Sequence, residues 1–511
     1  MKSSTRIILN TSIQYIRAVI SAIIILLVAR LILNALGAED YGIYSLVAGI
    51  VSMLTFIQNS LIVTTQRFLS FYQGEGNKEM QRKVMNNSVV TLSVTSFILI
   101  IFLIFVQPFL FDGFLNIPTD RVEAAIWVYY CMLGSLFFTM ISVPYYAVLI
   151  AHENIVFVTI VLLLNAFLQI PIAFLLYSVP YDRLKLYSTA LMFIPFLNFF
   201  IYFSYTKKRY DEVRKINIFS FDKTVFYNMF SFMGWSLYST GCILIRTQGI
   251  AILLNRFFGS VVNAAYGISL QVSSQLAILP LAIQNAVKPQ LVKAEGIGDR
   301  ERMFRLAEIM SKFSFLLLSA ISIPIIIKMD ILLSMWLKNV PENTVLFCRC
   351  IVLMNLIDQL TIGLGSANEA IGNIRNYSLI VNSLKIITIP IALLGLLFFQ
   401  NSVEVVMFSM LIIELLCAIT RLVVLKIIGG LSIVNFIRKV FLKELFPFII
   451  ACIVGFVISL LFNSFWSLVL TFLLTVLVLF LTAYKYALCN DEKHVIDRVL
   501  RSAVIKVKNM F

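Results

Sequence analysis

Long apolar runs recur along this chain from Ile7 to Leu488, with only short polar stretches between them. Each run is near the roughly 20 residues that a helix needs to cross about 30 Å of hydrocarbon. Of the 511 residues, 60% are hydrophobic and 13% are charged, whereas soluble globular chains carry about 25% charged residues. The runs are too long and too uniformly apolar for barrel strands, so the sequence predicts an all-α polytopic membrane protein.

The division of the apolar runs predicts about 14 transmembrane helices. Two divisions, at residues 151–154 and 463–467, contain few polar residues, and fusing runs there gives a count of 12 or 13. The first run extends too far for a cleaved signal peptide and is predicted to be the first span. The predicted spans are 7–36, 41–64, 88–111, 122–150, 155–178, 185–206, 227–258, 264–287, 307–327, 345–370, 376–399, 402–425, 446–463 and 466–488.

The basic residues orient these spans. With the N-terminus inside, the inner segments hold 29 lysines and arginines and the outer loops hold 6. Because cytoplasmic loops are enriched in basic residues, this asymmetry predicts that both termini are cytoplasmic and that the chain is a multi-pass protein of the bacterial cytoplasmic (inner) membrane. The net charge of +15 is then an orientation signal, and nucleic acid is not an expected partner.

The cysteines and histidines do not indicate a metal site. The seven cysteines are scattered and mostly lie inside apolar runs, and the chain has two histidines. Neither a disulfide framework nor zinc-ligand spacing is present, so no metal is expected.

Two polar phrases repeat at an interval of 222 residues: residues 74–79 read GEGNKE and residues 296–301 read GIGDRE. A phosphate-binding loop would need a preceding strand and either a third glycine or a Gly-Lys-Ser/Thr ending, which are lacking. The phrases instead predict cytoplasmic turns in which a glycine ends one helix and Asn or Asp caps the next. The residues expected to define these turns are Gly74, Gly76, Asn77, Gly296, Gly298 and Asp299.

The repeat extends beyond these phrases. Residues 34–37 (NALG) correspond to residues 255–259 (NRFFG), and DYGIY at 40–44 corresponds to AYGIS at 265–269. Spans 1–6 and 7–12 are therefore predicted to be two copies of a six-helix unit, and an even helix number gives both the same orientation. The predicted domains are an N-terminal lobe (1–206), a cytoplasmic linker (207–226), a C-terminal lobe (227–426), and an interfacial segment with helices 13 and 14 and a cytoplasmic tail (427–511). Within the last of these, residues 431–446 and the amphipathic tail 492–508 are predicted to be interfacial helices.

Three stretches of this sequence resemble a known family. RLILNALGAEDYGIY at residues 30–44, TQRFLS at 65–70 and AHEN at 151–154 are similar to the Wzx-type polysaccharide flippases of the multidrug/oligosaccharidyl-lipid/polysaccharide exporter superfamily. The resemblance covers most of the chain through its topology and is strongest in the first 155 residues.

The resemblance implies a fold and a function. The fold would have two six-helix lobes around a central cavity plus two C-terminal helices. The function would be to move undecaprenyl-diphosphate-linked oligosaccharide repeat units of O-antigen, capsule or exopolysaccharide from the inner to the outer leaflet. A polysaccharide polymerase and chain-length machinery would be partners.

Ionisable residues within the predicted spans are candidate functional groups, because burying a charge in lipid is costly. Arg17 lies about 16 Å along the helix from Arg6, and Arg246 about 15 Å from Arg256. The candidate cavity cations, suited to a diphosphate, are Arg17, Arg246, Arg30 and Lys385. The candidate acids, for coupling to H⁺ or Na⁺, are Asp358 and Glu414.

These charged residues have an alternative interpretation. They could pair with one another as structural contacts between helices, for example Arg246 with Asp358, without binding a substrate. The sequence leaves both interpretations open, and no cofactor other than a coupling ion is expected.

The sequence predicts a lipid-linked oligosaccharide flippase that works by alternating access. An ion-coupled multidrug exporter of the same superfamily is the alternative, but the deep charges are more basic than acidic, which favours an anionic substrate. A membrane polysaccharide polymerase or ligase is a remote alternative. Such an enzyme is expected to have a large outer loop, and the longest here, residues 328–344, has no histidine or clustered acids.

Overall fold

The computed structural model describes residues 3–490, 492 and 493, apart from 53, 112–116, 179–181, 217–219, 338–339, 399–401 and 462–464. All regular elements of this described part are helical, which confirms the predicted all-α class. The first half contains α1 (Ser3–Ser52), α2 (Thr55–Gly74), α3 (Lys78–Phe109), α4 (Val122–Ala151), α5 (Ile155–Ser178), α6 (Arg183–Arg209) and α7 (Asp211–Arg214). The second half contains α8 (Lys223–Leu276), α9 (Ile278–Ile297), α10 (Arg300–Ile327), α11 (Met329–Trp336), α12 (Thr344–Leu360), α13 (Ile362–Ile371), α14 (Ile374–Tyr377), α15 (Ser383–Phe398) and α16 (Val403–Gly429). The C-terminal part contains α17 (Ile433–Phe436), α18 (Leu442–Leu461) and α19 (Phe465–Thr482).

Nine helices of the described part are long and apolar enough to cross a bilayer. Two further pairs meet the same criteria together but are bent, by 42° between residues 261–276 and α9 and by 45° between α12 and α13. The described residues therefore provide nine spans, or eleven with both bent pairs. The figure of fourteen remains a prediction.

The first long helix of each half is broken at a glycine. Gly37 in α1 has a φ of 81° and Gly259 in α8 has a φ of 85°, so both adopt the left-handed region that side chains disfavour. No neighbouring atom lies within 4 Å of where a Cβ would be at either position, so the backbone angle, rather than close packing, favours glycine. The span ends predicted from the sequence, 36 and 258, lie one residue before these glycines, and a new helix begins directly after each of them.

The repeated polar phrases form two equivalent turns. Gly76 and Gly298 have φ values of 71° and 84°. The side chain of Asn77 accepts a hydrogen bond from the Met80 amide, and that of Asp299 accepts one from the Arg302 amide, each at 3.0 Å. Gly74 is the last residue of α2, and Gly296 lies within α9. The glycine that adopts the left-handed conformation after each helix is therefore the second of each pair.

Loss of either cap is expected to destabilise the fold modestly. Asn77→Ala and Asp299→Ala should each lower the free energy of unfolding by about 1 kcal/mol, because an amide of the first helical turn loses its acceptor. Asn77→Ser keeps an acceptor and should stay close to the unmutated protein. Chemical denaturation in mixed micelles measures these values, and equal stability of Asn77→Ala and Asn77→Ser would contradict the capping role.

The AHEN stretch forms a third turn, between α4 and α5. Glu153 has a φ of 59° there, and Gly372, between α13 and α14, has a φ of 90°. The His152 ring stacks on Tyr210 at 4.1 Å, and its Nε2 lies 2.5 Å from an oxygen of Glu212. Burial opposes ionisation of Glu212, but the hydrogen bond and charge of His152 bring the pKa of this carboxyl below its usual value. This contact therefore stabilises the turn above that pKa and is lost as the pH falls through it.

The chain divides into two compact units. One comprises residues 12–237, and the other comprises residues 1–11 and 238–511. The first unit has an apolar core around Tyr129, and the second has one around Phe347; both side chains are fully buried. The lobe limits expected from the sequence, at residues 206 and 227, remain predictions.

The C-terminal helices pack against α10. A Cβ on Gly455 of α18 would lie 2.5 Å from Ile327 and 2.7 Å from Thr475, so this glycine permits close contact with α10 and α19. The segment 431–446, expected to be interfacial, continues through the π-helical turn Ile437–Phe441 into α18, and Ile433–Leu461 meets the criteria for one span. The predicted amphipathic tail after Lys493 lies outside the described residues.

Candidate functional site: a buried ion cluster in the second unit

Five charged side chains from four helices of the second unit lie close together, and we call them the buried ion cluster. Two of them, Glu414 and Arg421, are seven residues apart on α16, a spacing that puts both on one helical face. The cluster consists of Arg246 on α8, Asp358 on α12, Lys385 on α15, and Glu414 and Arg421 on α16.

Glu414 lies between two cations. Its Oε2 accepts a hydrogen bond from Arg246 Nη1 at 2.6 Å, and its Oε1 is 3.9 Å from Lys385 Nζ. The exposed fractions of these side chains are 3% for Glu414, 13% for Arg246 and 8% for Lys385. Within the described structure, Glu414 Oε1 and Arg246 Nε are buried without a hydrogen-bond partner. The Glu414 carboxylate is therefore the counter-charge of two buried cations, Arg246 and Lys385. The hydrogen bonding of this group of side chains is incomplete.

Arg421 holds together a break in a membrane helix. Its guanidinium donates to Asp358 Oδ1 at 2.6 Å, to Thr361 Oγ1 at 3.1 Å and to the Asp358 carbonyl at 3.3 Å. These acceptors lie where α12 ends and α13 begins at an angle of 45°. A break within lipid frees backbone groups that need new partners, and Arg421 supplies one.

The two ion pairs belong to one electrostatic unit. Asp358 lies within reach of the charges of Lys385 and Arg246 as well as that of Arg421. Three cations face two acids, so the cluster has one excess positive charge when all five groups are ionised. Such a cluster favours anions over cations nearby.

A hydrogen-bonded polar patch joins α8 to the turn that precedes α15. Ser239 Oγ is 2.7 Å from Ser378 Oγ and accepts a hydrogen bond from Asn382 at 2.8 Å. Ser378–Asn382 is a π-helical turn that leads into α15, which carries Lys385. Such turns are frequent at functional sites, and this one ends three residues before Lys385.

Arg17 lies in the first unit, on α1. It is close enough to Tyr146 and Tyr202 for its charge to act on both phenol groups. Its Nε is buried without a hydrogen-bond partner, and no carboxylate of the described residues forms an ion pair with it. The side chain of Arg30 is outside the described residues.

The two halves do not repeat their charges. At the 222-residue interval, Arg17 corresponds to Ser239 and Arg246 corresponds to Ile24, a buried core residue with 5% exposure. The repeat therefore preserves the helix breaks and turns, whereas the charged side chains differ between the units.

The structure brings together four of the six charged candidates: Arg246, Lys385, Asp358 and Glu414. The ion pair between Arg246 and Asp358 that was considered from the sequence is wrong. Arg246 contacts Glu414, and Asp358 contacts Arg421. The 29 basic residues predicted to be cytoplasmic include Arg421, although only 4% of it is exposed. Its seven-residue spacing from Glu414 was the available signal. Among the described residues, no group of three potential metal ligands occurs.

Comparison with known proteins gives a family match over part of the chain. Residues 13–175 match the MatE family model. No curated protein sequence matches this chain. The MatE match covers the segment in which the sequence resemblance was strongest.

Solved structures of transporters share this fold. A crystal structure of a MATE point mutant gives a TM-score of 0.73 at 14% identity, covering 84% of this chain and 99% of that chain. An outward-facing multidrug resistance MATE transporter of the MOP superfamily gives 0.71 at 13% identity, with 84% and 97% covered. A MOP superfamily transporter from Pyrococcus furiosus, described as having a binding pocket of reverse polarity that suggests a different function, gives 0.71 at 13% identity, with 84% and 98% covered.

The sequence identity to these structures is 13–14%, so the similarity concerns the fold. The matched structures are covered almost completely, whereas 16% of this chain lies outside the match. MatE family members are transporters and not enzymes, as predicted. Residues 13–175 thus match the MatE family model, and the described chain is a multi-pass membrane protein with the fold of MATE transporters.

Proposed function

We propose that this chain is a MATE-type transporter of a lipid-linked substrate with an anionic head, and that it works by alternating access. The MatE match and the transporter fold support the general mechanism. An undecaprenyl-diphosphate-linked oligosaccharide is the proposed substrate, moved from the inner to the outer leaflet of the cytoplasmic membrane.

The excess positive charge of the buried groups is the observation that supports an anionic substrate. Arg17 has no carboxylate partner among the described residues, and the buried ion cluster keeps one excess positive charge. A guanidinium presents parallel donors that match the oxygens of a diphosphate. An oligosaccharide joined through a diphosphate supplies such an anion.

Multidrug export is the second candidate function, and it is favoured by the solved structures. One of the matched proteins is a multidrug resistance transporter. A carrier of organic cations would be expected to offer excess acidic charge, and the buried ion cluster has the opposite balance. The description of the Pyrococcus furiosus transporter shows that pocket polarity is a variable feature of this fold.

A transport assay with both substrate classes distinguishes the two candidates. The purified protein would be placed in liposomes with a fluorescent lipid-diphosphate-linked oligosaccharide, and separately with a fluorescent organic cation. We expect the labelled lipid to change leaflets in the presence of the protein, and the cation to remain where it was loaded. Cation movement without lipid movement would contradict our proposal and support multidrug export.

Substitutions of Arg17 test its proposed contact with the diphosphate. Arg17→Ala should slow lipid transport about 10- to 100-fold, because a hydrogen bond to a charged group contributes about 1.5–3 kcal/mol. Arg17→Lys keeps the charge but loses the fork, and it should retain an intermediate rate. The measurement is the initial rate of leaflet exchange at equal amounts of folded protein.

The control for Arg17 is Lys207→Ala, at the exposed end of α6, which should transport normally. Normal rates in both Arg17 variants would remove Arg17 from the proposed site. Arg246 is less suitable for this test, because its substitution also leaves Glu414 without its closest cation.

Several expectations complete the proposal. Both termini are proposed to be cytoplasmic, and Asp358 or Glu414 is proposed to take part in coupling to H⁺ or Na⁺. A polysaccharide polymerase and chain-length machinery are the proposed partners, since they would act on the translocated repeat unit. Leaflet-specific labelling of the termini tests the orientation directly.

A further inference from the structure

A second set of buried charges lies apart from the ion cluster, where the C-terminal helices pack on α10. Its central residue is Glu444, the third residue of α18. This side chain has 0% exposure, and neither carboxylate oxygen has a hydrogen-bond partner in the described structure. A carboxylate that is both ionised and unpartnered in such a place would carry a large desolvation cost.

Two charged groups act electrostatically on Glu444: Lys312 of α10 and Glu492 of the C-terminal segment. Lys312, with 3% exposure, donates to both oxygens of Glu492 at 3.0 Å. Glu492 also accepts a hydrogen bond from the Cys489 amide at 2.8 Å. The Lys312 ammonium is therefore hydrogen-bonded to Glu492. Glu444 receives no hydrogen bond from it.

Further charged groups surround this site. Glu308, one turn before Lys312, lies within electrostatic reach of Lys439, Arg305, Lys312 and Glu492. Lys443, next to Glu444 in sequence, directs its Nζ at Cys489 Sγ at 3.7 Å. These groups do not hydrogen-bond to Glu444, so the local balance at its carboxyl is two acids sharing one cation. Like charges that share a site favour retention of a proton by one of them.

We propose that Glu444 is a proton-binding site whose occupancy depends on the contact between Glu492 and Lys312. While Glu492 is bound to Lys312, Glu444 is neutral and carries the proton. When Glu492 leaves, Lys312 becomes available to Glu444. The O–H bond of Glu444 then breaks, the proton passes to water, and an ion pair between Lys312 and Glu444 replaces the first pair.

This exchange would link the C-terminal segment to pH. One proton is bound when Glu492 docks on α10 and one is released when it leaves, so acid favours docking and alkali favours release. The linkage is at most about tenfold in the docking equilibrium per pH unit, the limit for one proton. The site does not depend on the identity of the transported substrate.

Infrared difference spectroscopy of the full-length protein in liposomes tests the proton directly. We expect an absorption band of a protonated carboxyl at neutral pH that is absent from Glu444→Gln. Glu301→Gln changes an exposed acid of α10 and should leave the band unchanged. A spectrum of Glu444→Gln identical to that of the unmutated protein would overturn the proposal.

Hydrogen–deuterium exchange of residues 485–493 tests the linkage to docking. After correction for intrinsic rates, protection should fall between pH 6 and pH 9 by no more than about tenfold per pH unit. Glu444→Gln imitates the protonated form and should keep protection at high pH, whereas Glu492→Gln should exchange rapidly at both pH values. Protection of the unmutated protein that does not change with pH would overturn the linkage even if both variants fold normally.

Discussion

Gly363→Ala is expected to disrupt the packing between α10 and α13 and to reduce the yield of folded protein severely. A Cβ on Gly363 would lie 2.0 Å from the carbonyl oxygen of Ala307 and 2.8 Å from its carbonyl carbon. Both atoms are backbone, so no rotamer change can relieve the clash and the two helices must separate. The Gly363 amide would also lose its hydrogen bond to Ser311 Oγ, now 3.0 Å long.

The expected cost of this substitution is at or above the upper end of the about 1–3 kcal/mol typical of overpacking. Gly241→Ala is the matched control, because Gly241 is helical in α8 and no neighbouring atom lies within 4 Å of where its Cβ would be. The control should fold as well as the unmutated protein. Size-exclusion profiles and thermal unfolding in detergent measure both variants, and similar behaviour of the two would show that α10 and α13 do not approach this closely.

Glu414→Ala is expected to have the second large effect. It leaves Arg246 and Lys385 buried without their shared counter-charge, and removal of one partner from a buried ion pair costs about 3–5 kcal/mol. Glu404→Ala is the control on the same helix, because Glu404 is exposed in the first turn of α16. Chemical denaturation should separate Glu414→Ala from the control by most of that amount.

A double variant distinguishes the loss of the ion pair from the loss of the individual side chains. Arg246→Ala combined with Glu414→Ala should be less destabilised than the sum of the two single variants, because the double variant no longer buries an uncompensated arginine. Additive effects would indicate that Arg246 and Glu414 contribute independently, contrary to their 2.6 Å contact.

The positions of the helix ends could be anticipated from the sequence because local chemistry sets them. Asn77 and Asp299 cap the helices that follow them, and Gly76 and Gly298 adopt positive φ angles in the same turns. The sequence did not reveal that a single glycine, Gly37 or Gly259, separates one helix from the next. A positive φ at one residue redirects a helix without requiring a polar loop, so hydropathy does not distinguish it from a connection between spans.

The sequence by itself determined that this chain is an all-helical membrane protein and that one capped turn occurs twice, 222 residues apart. Apolar length, basic asymmetry and short capping phrases are properties of local segments. They do not depend on how the helices pack. Only the tertiary structure decided which buried charges meet. Arg246 and Glu414 are 168 residues apart in the chain, and their partnership depends on where α8 and α16 lie. Arg421, assigned from the sequence to a cytoplasmic segment, supports a helix break because helix packing places it beside Asp358.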